Sequence, residues 1–392
     1  MVNSSPNVAS NSNITREVSH HLSSTPRIVS DEVRDFIELS LFHVATTSLG
    51  FLGVLTNSLC VAVYSKQGRK DSVTVSLLAL SLSDLGLSLM TFLSVVSFMV
   101  ERFAPLPKMN FIAFQYVVLA YTAGCFYGIS TILTMYLSLE RCICVAIPFH
   151  VKGMFTRNRS IVVTMFITIF CLSCYAPAWA TQSLKGKHSP IYNTSRLTLS
   201  LTSNRRNIDI FVDSFIGIVL PSVAQVVITI CTVVMISVLN ASASFKKKMA
   251  NKTGGGNKND KDLKQKKSKP ANLSDSQWQT AKDVMTEKSS EDVQQPTDKT
   301  LSSKEARVVK MVVLVALIFF VCNAPVLVTS YTRAFVTEMD IGKAYNNLYV
   351  TVYVGVYFSN SFNAWVNILV YYRCSSKFKE TLLTMVRARH RL

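Results

Sequence analysis

Uncharged apolar runs of about 20 residues, the length at which a helix crosses a hydrocarbon core, recur along the chain. They lie at 41–64, 74–100, 111–139, 160–181, 210–239, 308–332 and 346–372. Each is too long and too continuous for a core strand, and the period-two alternation of an outer-membrane barrel is absent from them. The pattern predicts an all-α membrane protein, a bundle of seven transmembrane helices, and argues against a water-soluble enzyme or a secreted disulfide scaffold. Around the spans it predicts a polar tail over 1–40, helices one to five within 41–239 and a long polar segment over 240–304. Helices six and seven follow within 305–372, and a short amphipathic eighth helix with a tail occupies 373–392.

Composition sharpens this picture. Only 16% of the 392 residues are charged and 49% are apolar, yet the net charge is +18, so charge and grease are segregated. The Lys and Arg excess falls mainly in 65–72, 142–159, 240–304 and 373–392, which share one side of an odd-numbered bundle. By the positive-inside bias that side is cytoplasmic and the amino terminus is extracellular, as in a multi-pass protein of the plasma membrane. Residues 1–35 contain no apolar signal-peptide core, so the first span is expected to serve as an uncleaved signal anchor. Glycosylation sequons at Asn3, Asn13 and Asn193 fall on the outer side; those at Asn158, Asn251 and Asn272 fall on the inner one.

The segment 240–304 carries the run Lys246-Lys247-Lys248 and the hinge Gly254-Gly255-Gly256, and its low hydrophobicity predicts disorder. Its lysines flank a membrane and lack interleaved aromatics, which points to anionic lipid headgroups rather than nucleic acid. No internal repeat is evident, which weakens the main alternative, a transporter or channel. No span offers a metal-ligand cluster or a nucleophile paired with a base.

Ionisable and amide side chains inside a span are costly and mark candidate sites. Asp84 sits mid-span in the second helix and Asn57 in the first, within Gly53-x-x-x-Asn57; Asn363 and Asn367 lie one turn apart in the seventh. Glu140-Arg141 closes the third helix, and Glu305 opens the sixth at the same depth.

In their order and spacing these residues resemble the rhodopsin-like (class A) G-protein-coupled receptors. Glu140-Arg141-Cys142 stands where the family has Asp/Glu-Arg-Tyr, and Asn57 and Asp84 stand at the family's Asn and Asp. Phe319-x-x-Cys322-Asn323-x-Pro325 is similar to Phe-x-x-Cys-Trp-x-Pro, and Pro221 marks the fifth helix. Asn367-Ile368-Leu369-Val370-Tyr371 is similar to Asn-Pro-x-x-Tyr and is followed by Phe378 in a Lys-flanked amphipathic segment. The departures are Asn323 for Trp, Ile368 for Pro, Thr229 for a Tyr beyond Pro221, and a fourth helix without its central Trp. The stretches Glu140 to Val145 and Asn367 to Arg373 are also similar to divergent invertebrate receptors of molluscan chemosensory and neuropeptide types.

The resemblance implies a receptor without catalytic activity that binds an extracellular peptide or small chemical and activates a heterotrimeric G protein, with arrestin as a further partner. It implies a coupling face around Glu140, Arg141 and Tyr371, in which Arg141 bonds Glu305 when the sixth helix is swung in; an ordinary interfacial salt bridge is the alternative. Asn57, Asp84, Ser130, Asn363 and Asn367 are expected to converge mid-bundle, with Asn323 joining from the sixth helix. That cluster would hold a structural sodium ion or a proton, or form a purely structural knot, and no other cofactor is implied.

For the ligand, Ala123 stands where amine receptors keep an Asp and Ser361 where opsins carry the retinal Lys, which disfavours both ligand classes. The expected pocket comprises Ala123, Tyr127, Asn323, Tyr353 and Tyr357, with Asp213 high on the fifth helix and Arg333 atop the sixth. Tyr345, Tyr349, Tyr353 and Tyr357 repeat every four residues, a pattern also produced by helix packing. The loop 182–209 carries Lys185, Lys187, Arg196, Arg205 and Arg206 against Asp209, to attract an anionic ligand or simply to be solvated. The family's disulfide between the third helix and this loop lacks both partners, since Tyr116 takes one position and 182–209 contains no Cys. All nine cysteines (60, 125, 142, 144, 171, 174, 231, 322 and 374) lie in spans or at their inner ends, and Cys374 is a candidate for palmitoylation.

Overall fold

A computed structural model describes residues 28–68, 71–147, 153–255, 301–340 and 343–389. Its long helices are α1 (Asp31–Gln67), α2 (Ser72–Phe103), α3 (Phe111–Ala146), α4 (Arg157–Ala180), α5 (Arg205–Met249), α6 (Ser303–Phe335) and α7 (Asn346–Cys374), followed by the shorter α8 (Ser376–Arg389). Six of these, α1 to α6, are long and apolar enough to cross a membrane. α7 is also long, but its Tyr, Asn and Ser content dilutes its apolar character, because its polar groups face inward. α3 packs against α2, α4, α5 and α6, and α7 closes the bundle between α6 and α1.

The bundle is built for a solvent that cannot hydrogen-bond, so backbone groups pair within helices and apolar side chains face outward as well as inward. Val162, Met165, Phe166 and Ile169 on α4, and Val219, Val223, Val226, Ile230 and Val233 on α5, form exposed apolar stripes at helical spacing. The interior holds Val63, Leu80, Leu133, Leu137, Met235 and Val312, each under 2% exposed.

The helices overrun the hydrophobic spans because polar caps extend them. Asp71 accepts from Thr74 N at 2.8 Å to start α2, and Ser30 caps α1 through Val33 N. α5 continues to Gly255, through Lys246 to Lys248, so the polar segment expected to be disordered from 240 begins as helix. Lys, Ala and Met there are good helix formers, and no Pro or Gly interrupts them before Gly254 and Gly255, where the helix ends. Lys246 Nζ donates to Leu301 O at 2.8 Å. Asn3, Asn13 and residues 256–300 lie outside the described residues.

The loop after α4 is a hairpin of β1 (Gln182–Ser189) and β2 (Thr194–Leu201), antiparallel from Gln182↔Leu201 to Ser189↔Thr194. Asn193 ends its turn at φ 47°, a left-handed conformation that Asn tolerates, so this sequon is exposed at the hairpin tip. The other edge of β2 is pinned to the α2–α3 connection: Leu197 N donates to Lys108 O at 2.9 Å and Asn110 N to Leu197 O at 3.3 Å. Near this end of the bundle α1, α3 and α5 each widen into π-helix, over Glu38–Thr46, Gln115–Ala120 and Val212–Val219.

Candidate functional site

Midway along the bundle Asp84 is wholly buried, and both its oxygens are engaged. Ser130 Oγ of α3 donates to Oδ1 at 2.6 Å and Asn367 Nδ2 of α7 donates to Oδ2 at 2.9 Å. Asn57 does not join this carboxylate. Its Nδ2 donates to Gly53 O at 3.0 Å and to Ala364 O at 2.9 Å, tying α1 to α7. Gly53 also lets α1 come close to α2, where a Cβ would stand 2.5 Å from Ser88 Oγ. Asn363 is buried a turn away and makes no side-chain hydrogen bond among the described residues. Two buried oxygens near Asp84, Asn367 Oδ1 and Ser88 Oγ, have no hydrogen-bond partner among the described residues. A carboxylate with neutral oxygen donors beside it is a donor set that fits a sodium ion.

Asn323 does not reach this cluster, contrary to the expectation that it would join it. Its Oδ1 accepts from the hydroxyl of Tyr127 on α3, and its Nδ2 donates to Gln225 Oε1 on α5 at 2.9 Å. Asn323 faces the seam of α3, α5 and α6, so α7 is out of its reach. Ala123 is buried one turn above Tyr127 among Leu87, Ala364 and Phe126.

At the end opposite the hairpin, Arg141 pairs with Glu140, whose side chain is fully buried. Glu140 Oε1 also accepts from Ser72 Oγ at the start of α2, and Ser72 is hydrogen bonded to Ser160 Oγ of α4. Tyr136 of α3 is hydrogen bonded to the same Ser160 oxygen at 3.0 Å. Thus Glu140 is held by α2, α3 and α4 together. The expected Arg141–Glu305 pair is absent. Glu305 closes a capping box with Ser302: Ser302 N donates to Glu305 Oε2 at 3.0 Å and Glu305 N to Ser302 Oγ at 3.2 Å. Tyr371 is not at Arg141 either. It is fully buried between Tyr64 of α1 and Phe378 of α8, with ring centroids at 5.5 and 5.8 Å.

At the hairpin end Arg333 Nη1 lies 3.3 Å from Asp213 Oδ2, joining the outer ends of α5 and α6, and Arg333 also approaches Asp340 at 3.6 Å. The guanidinium stands 5.8 Å from the centroid of Tyr349. From there Tyr349, Tyr353 and Tyr357 form a ladder down α7 with centroids 5.3 and 5.5 Å apart. Tyr357 packs onto Phe42 of α1, whereas Tyr353 stays 40% accessible within the bundle, within electrostatic reach of Asp213, Arg333 and Tyr116. Tyr345 lies outside the ladder, as the residue before α7.

The family profile described as "7 transmembrane receptor (rhodopsin family)" matches residues 56–367, from the second half of α1 into α7, a stretch that includes Asn57 and Asn367. The chain belongs to the rhodopsin family of seven-transmembrane receptors. No match is found among curated proteins. A member of this family is a signalling receptor of the membrane, not an enzyme, and its partners in general are an extracellular ligand and a G protein.

Several residues of this receptor's site escaped the sequence reading. Gln225, Ser72 and Ser160 are polar residues in or near apolar spans, and their helical phase was the available signal. The hairpin was legible in the alternation of β2, whose Leu197, Leu199 and Leu201 share one face while Arg196, Thr198 and Ser200 share the other. Arg196 and Arg205 are not free to attract a ligand. Arg196 pairs with Glu101 and donates to Met109 O, and Arg205, only 4% exposed, donates to Asp209 Oδ1 at 2.8 Å and Ala178 O at 2.9 Å. Lys185 and Lys187 remain exposed on β1. All nine cysteines are free thiols.

Proposed function

We propose that this receptor takes an extracellular ligand bearing a cationic or strong hydrogen-bond-donor group beside an apolar portion, and activates a heterotrimeric G protein through the face around Arg141. The hairpin end, with Asn193 at its tip, is then extracellular and the Arg141 end cytoplasmic. One observation carries the ligand reading: a half-exposed carboxylate, Asp213, stands near the accessible Tyr353 and is matched by a single guanidinium, Arg333. A ligand cation that displaces Arg333 gains an acid without an added desolvation cost, and its apolar portion stacks on the tyrosines. Peptides and small chemicals both meet this description.

At Asp84 we propose a sodium ion held by the carboxylate together with Ser88, Ser130 and Asn367, with a proton as the alternative neutraliser. The ion would supply the positive charge that a buried carboxylate needs. Arrestin is proposed to dock on the same cytoplasmic face as the G protein, and the lysines of α8 and of the α5 extension to lie against anionic lipid headgroups.

The test is a screen of peptides and small chemicals on cells carrying the receptor and a promiscuous G-protein reporter. Tags at residue 1 and after Leu392 report orientation on intact cells. A ligand-dependent response that persists on ion substitution, with only the residue 1 tag exposed, is the expected result. An ion current without nucleotide exchange on a G protein would replace this reading by a channel.

A further inference from the structure

Helix α6 contains Pro325, which has no backbone N–H and so leaves the carbonyl of Val321 without its intrahelical partner. The helix is weakest over this turn, and a side chain of another helix bonds to residues at and just before its start. Gln225 of α5, one turn past Pro221, accepts from Asn323 Nδ2 at 2.9 Å and donates through its own Nε2 to Phe320 O at 3.3 Å. One amide therefore grips α6 twice on the side of the proline that leads toward Arg141: once on a side chain, once on the backbone. Asn323 is 2% exposed, and its remaining carbonyl accepts the hydroxyl of Tyr127, so the chain of bonds crosses α5, α6 and α3. One turn nearer the Arg141 end, Ile228, Ala316 and Phe319, each at most 2% exposed, pack with Met135 as an apolar layer beneath Asn323, while the bond from Gln225 to Phe320 O lies on the exposed outer side of the bundle, which faces hydrocarbon rather than water. In such surroundings an amide that loses its partner costs far more than it would in solvent, which makes the bonded arrangement discrete rather than loose.

We infer that Gln225 is the positioning residue for signalling in this receptor: acting through Asn323, it fixes α6 at its proline turn and thereby sets how often the cytoplasmic half of α6 swings away from Arg141 without ligand. The inference rests on the G-protein-coupling reading. It predicts coupling between two residues on different helices, and side chains of the same shape that cannot hydrogen-bond isolate that coupling.

The experiment is a double-mutant cycle on the full-length receptor in lipid nanodiscs, with Gln225→Met, Asn323→Leu and the pair. Amide hydrogen exchange over Phe319–Leu327 reads the helix without any G protein, and spontaneous nucleotide loading on a panel of purified heterotrimers reads the signal. Gln225→Met is expected to raise both by about threefold or more in the parent, and by about half of that or less when Asn323→Leu is already present, where only the bond to Phe320 O is left to lose. The thermal midpoint and surface expression serve as controls, and a variant that fails them is replaced by Gln225→Asn, which retains an amide too short to grip both sites and should show the same rise. Equal effects in the two backgrounds, or unchanged exchange, would overturn the role of Gln225. Raised exchange with unchanged loading from a parent that does load nucleotide overturns it too. No loading from the parent at all overturns the G-protein reading instead.

Discussion

Arg205 lies with its guanidinium 4.7 Å from the ring centroid of Tyr121 and donates to that residue's hydroxyl. The same guanidinium stands 5.8 Å from Tyr116, which takes the α3 position of the disulfide that the family resemblance implies. It also donates to Ala178 O, Thr181 Oγ1 and Gln182 Oε1, at 2.9, 3.1 and 3.2 Å. Gln182 in turn donates to Val117 O at 2.8 Å. A planar fork of five donors thus joins α3, α4, α5 and the base of the hairpin where a covalent bond is missing.

The clasp makes the hairpin sensitive to substitution of Arg205 and indifferent to reductant. Arg205→Met should lower stability by about 2–4 kcal/mol, the cost of breaking a buried, multiply bonded charge, and Arg205→Lys should recover little because one ammonium cannot fork. Thermal unfolding of the purified receptor measures both, and dithiothreitol should shift the parent's midpoint by less than a degree or so. A large loss on reduction would require a disulfide to another chain.

Glu140, rather than Glu305, should restrain Arg141. Glu140→Ala removes the buried acceptor shared by Arg141 and Ser72, and is expected to raise ligand-free nucleotide exchange about fivefold, corresponding to roughly 1 kcal/mol taken from the resting state. Glu305→Ala should cost no more than about 1 kcal/mol of helix capping and leave ligand-free exchange within twofold. The reverse order of effects would mean that the Arg141–Glu305 pair dominates in the resting receptor.

A sodium ion at Asp84 should be visible without any ligand. Replacing choline by sodium at about ten times the ion's dissociation constant should stabilise the parent by about 1.4 kcal/mol. Asp84→Asn should abolish that increment, since no other carboxylate faces the cluster among the described residues. An equal midpoint in the two salts for the parent would favour a proton on Asp84.

For Asp213 the expected signature is a loss of potency at preserved stability. Its pairing with Arg333 is half-exposed, so Asp213→Asn should change stability by less than about 1 kcal/mol. Potency of an agonist from the screen should fall about tenfold or more, the loss expected for one charge-assisted hydrogen bond. Unchanged potency would leave Asp213 as a partner of Arg333 alone.

The number and order of the helices were written in the sequence, because a hydrocarbon solvent demands apolar runs of a set length whatever the neighbours. So was the presence of Asp84, Asn367 and Arg141 in a bundle, since polar groups that costly are placed only where they are used. Helix ends were less legible: caps such as Asp71 and Ser302 lie outside the spans, and nothing apolar stops α5 at 239. Which polar group meets which was decided by tertiary structure alone. Depth alone directs both Asn323 and Asn57 to Asp84, yet a helix also has an azimuth, and theirs turns Asn323 to Gln225 and Tyr127 and Asn57 to the backbone of α7. Arg141 and Glu305 share a depth too, but Ser302 sits three residues from Glu305 and claims it locally. Depth in the membrane follows from counting residues along one helix, whereas partnership depends on the rotation and spacing of several helices at once, and only their packing fixes that.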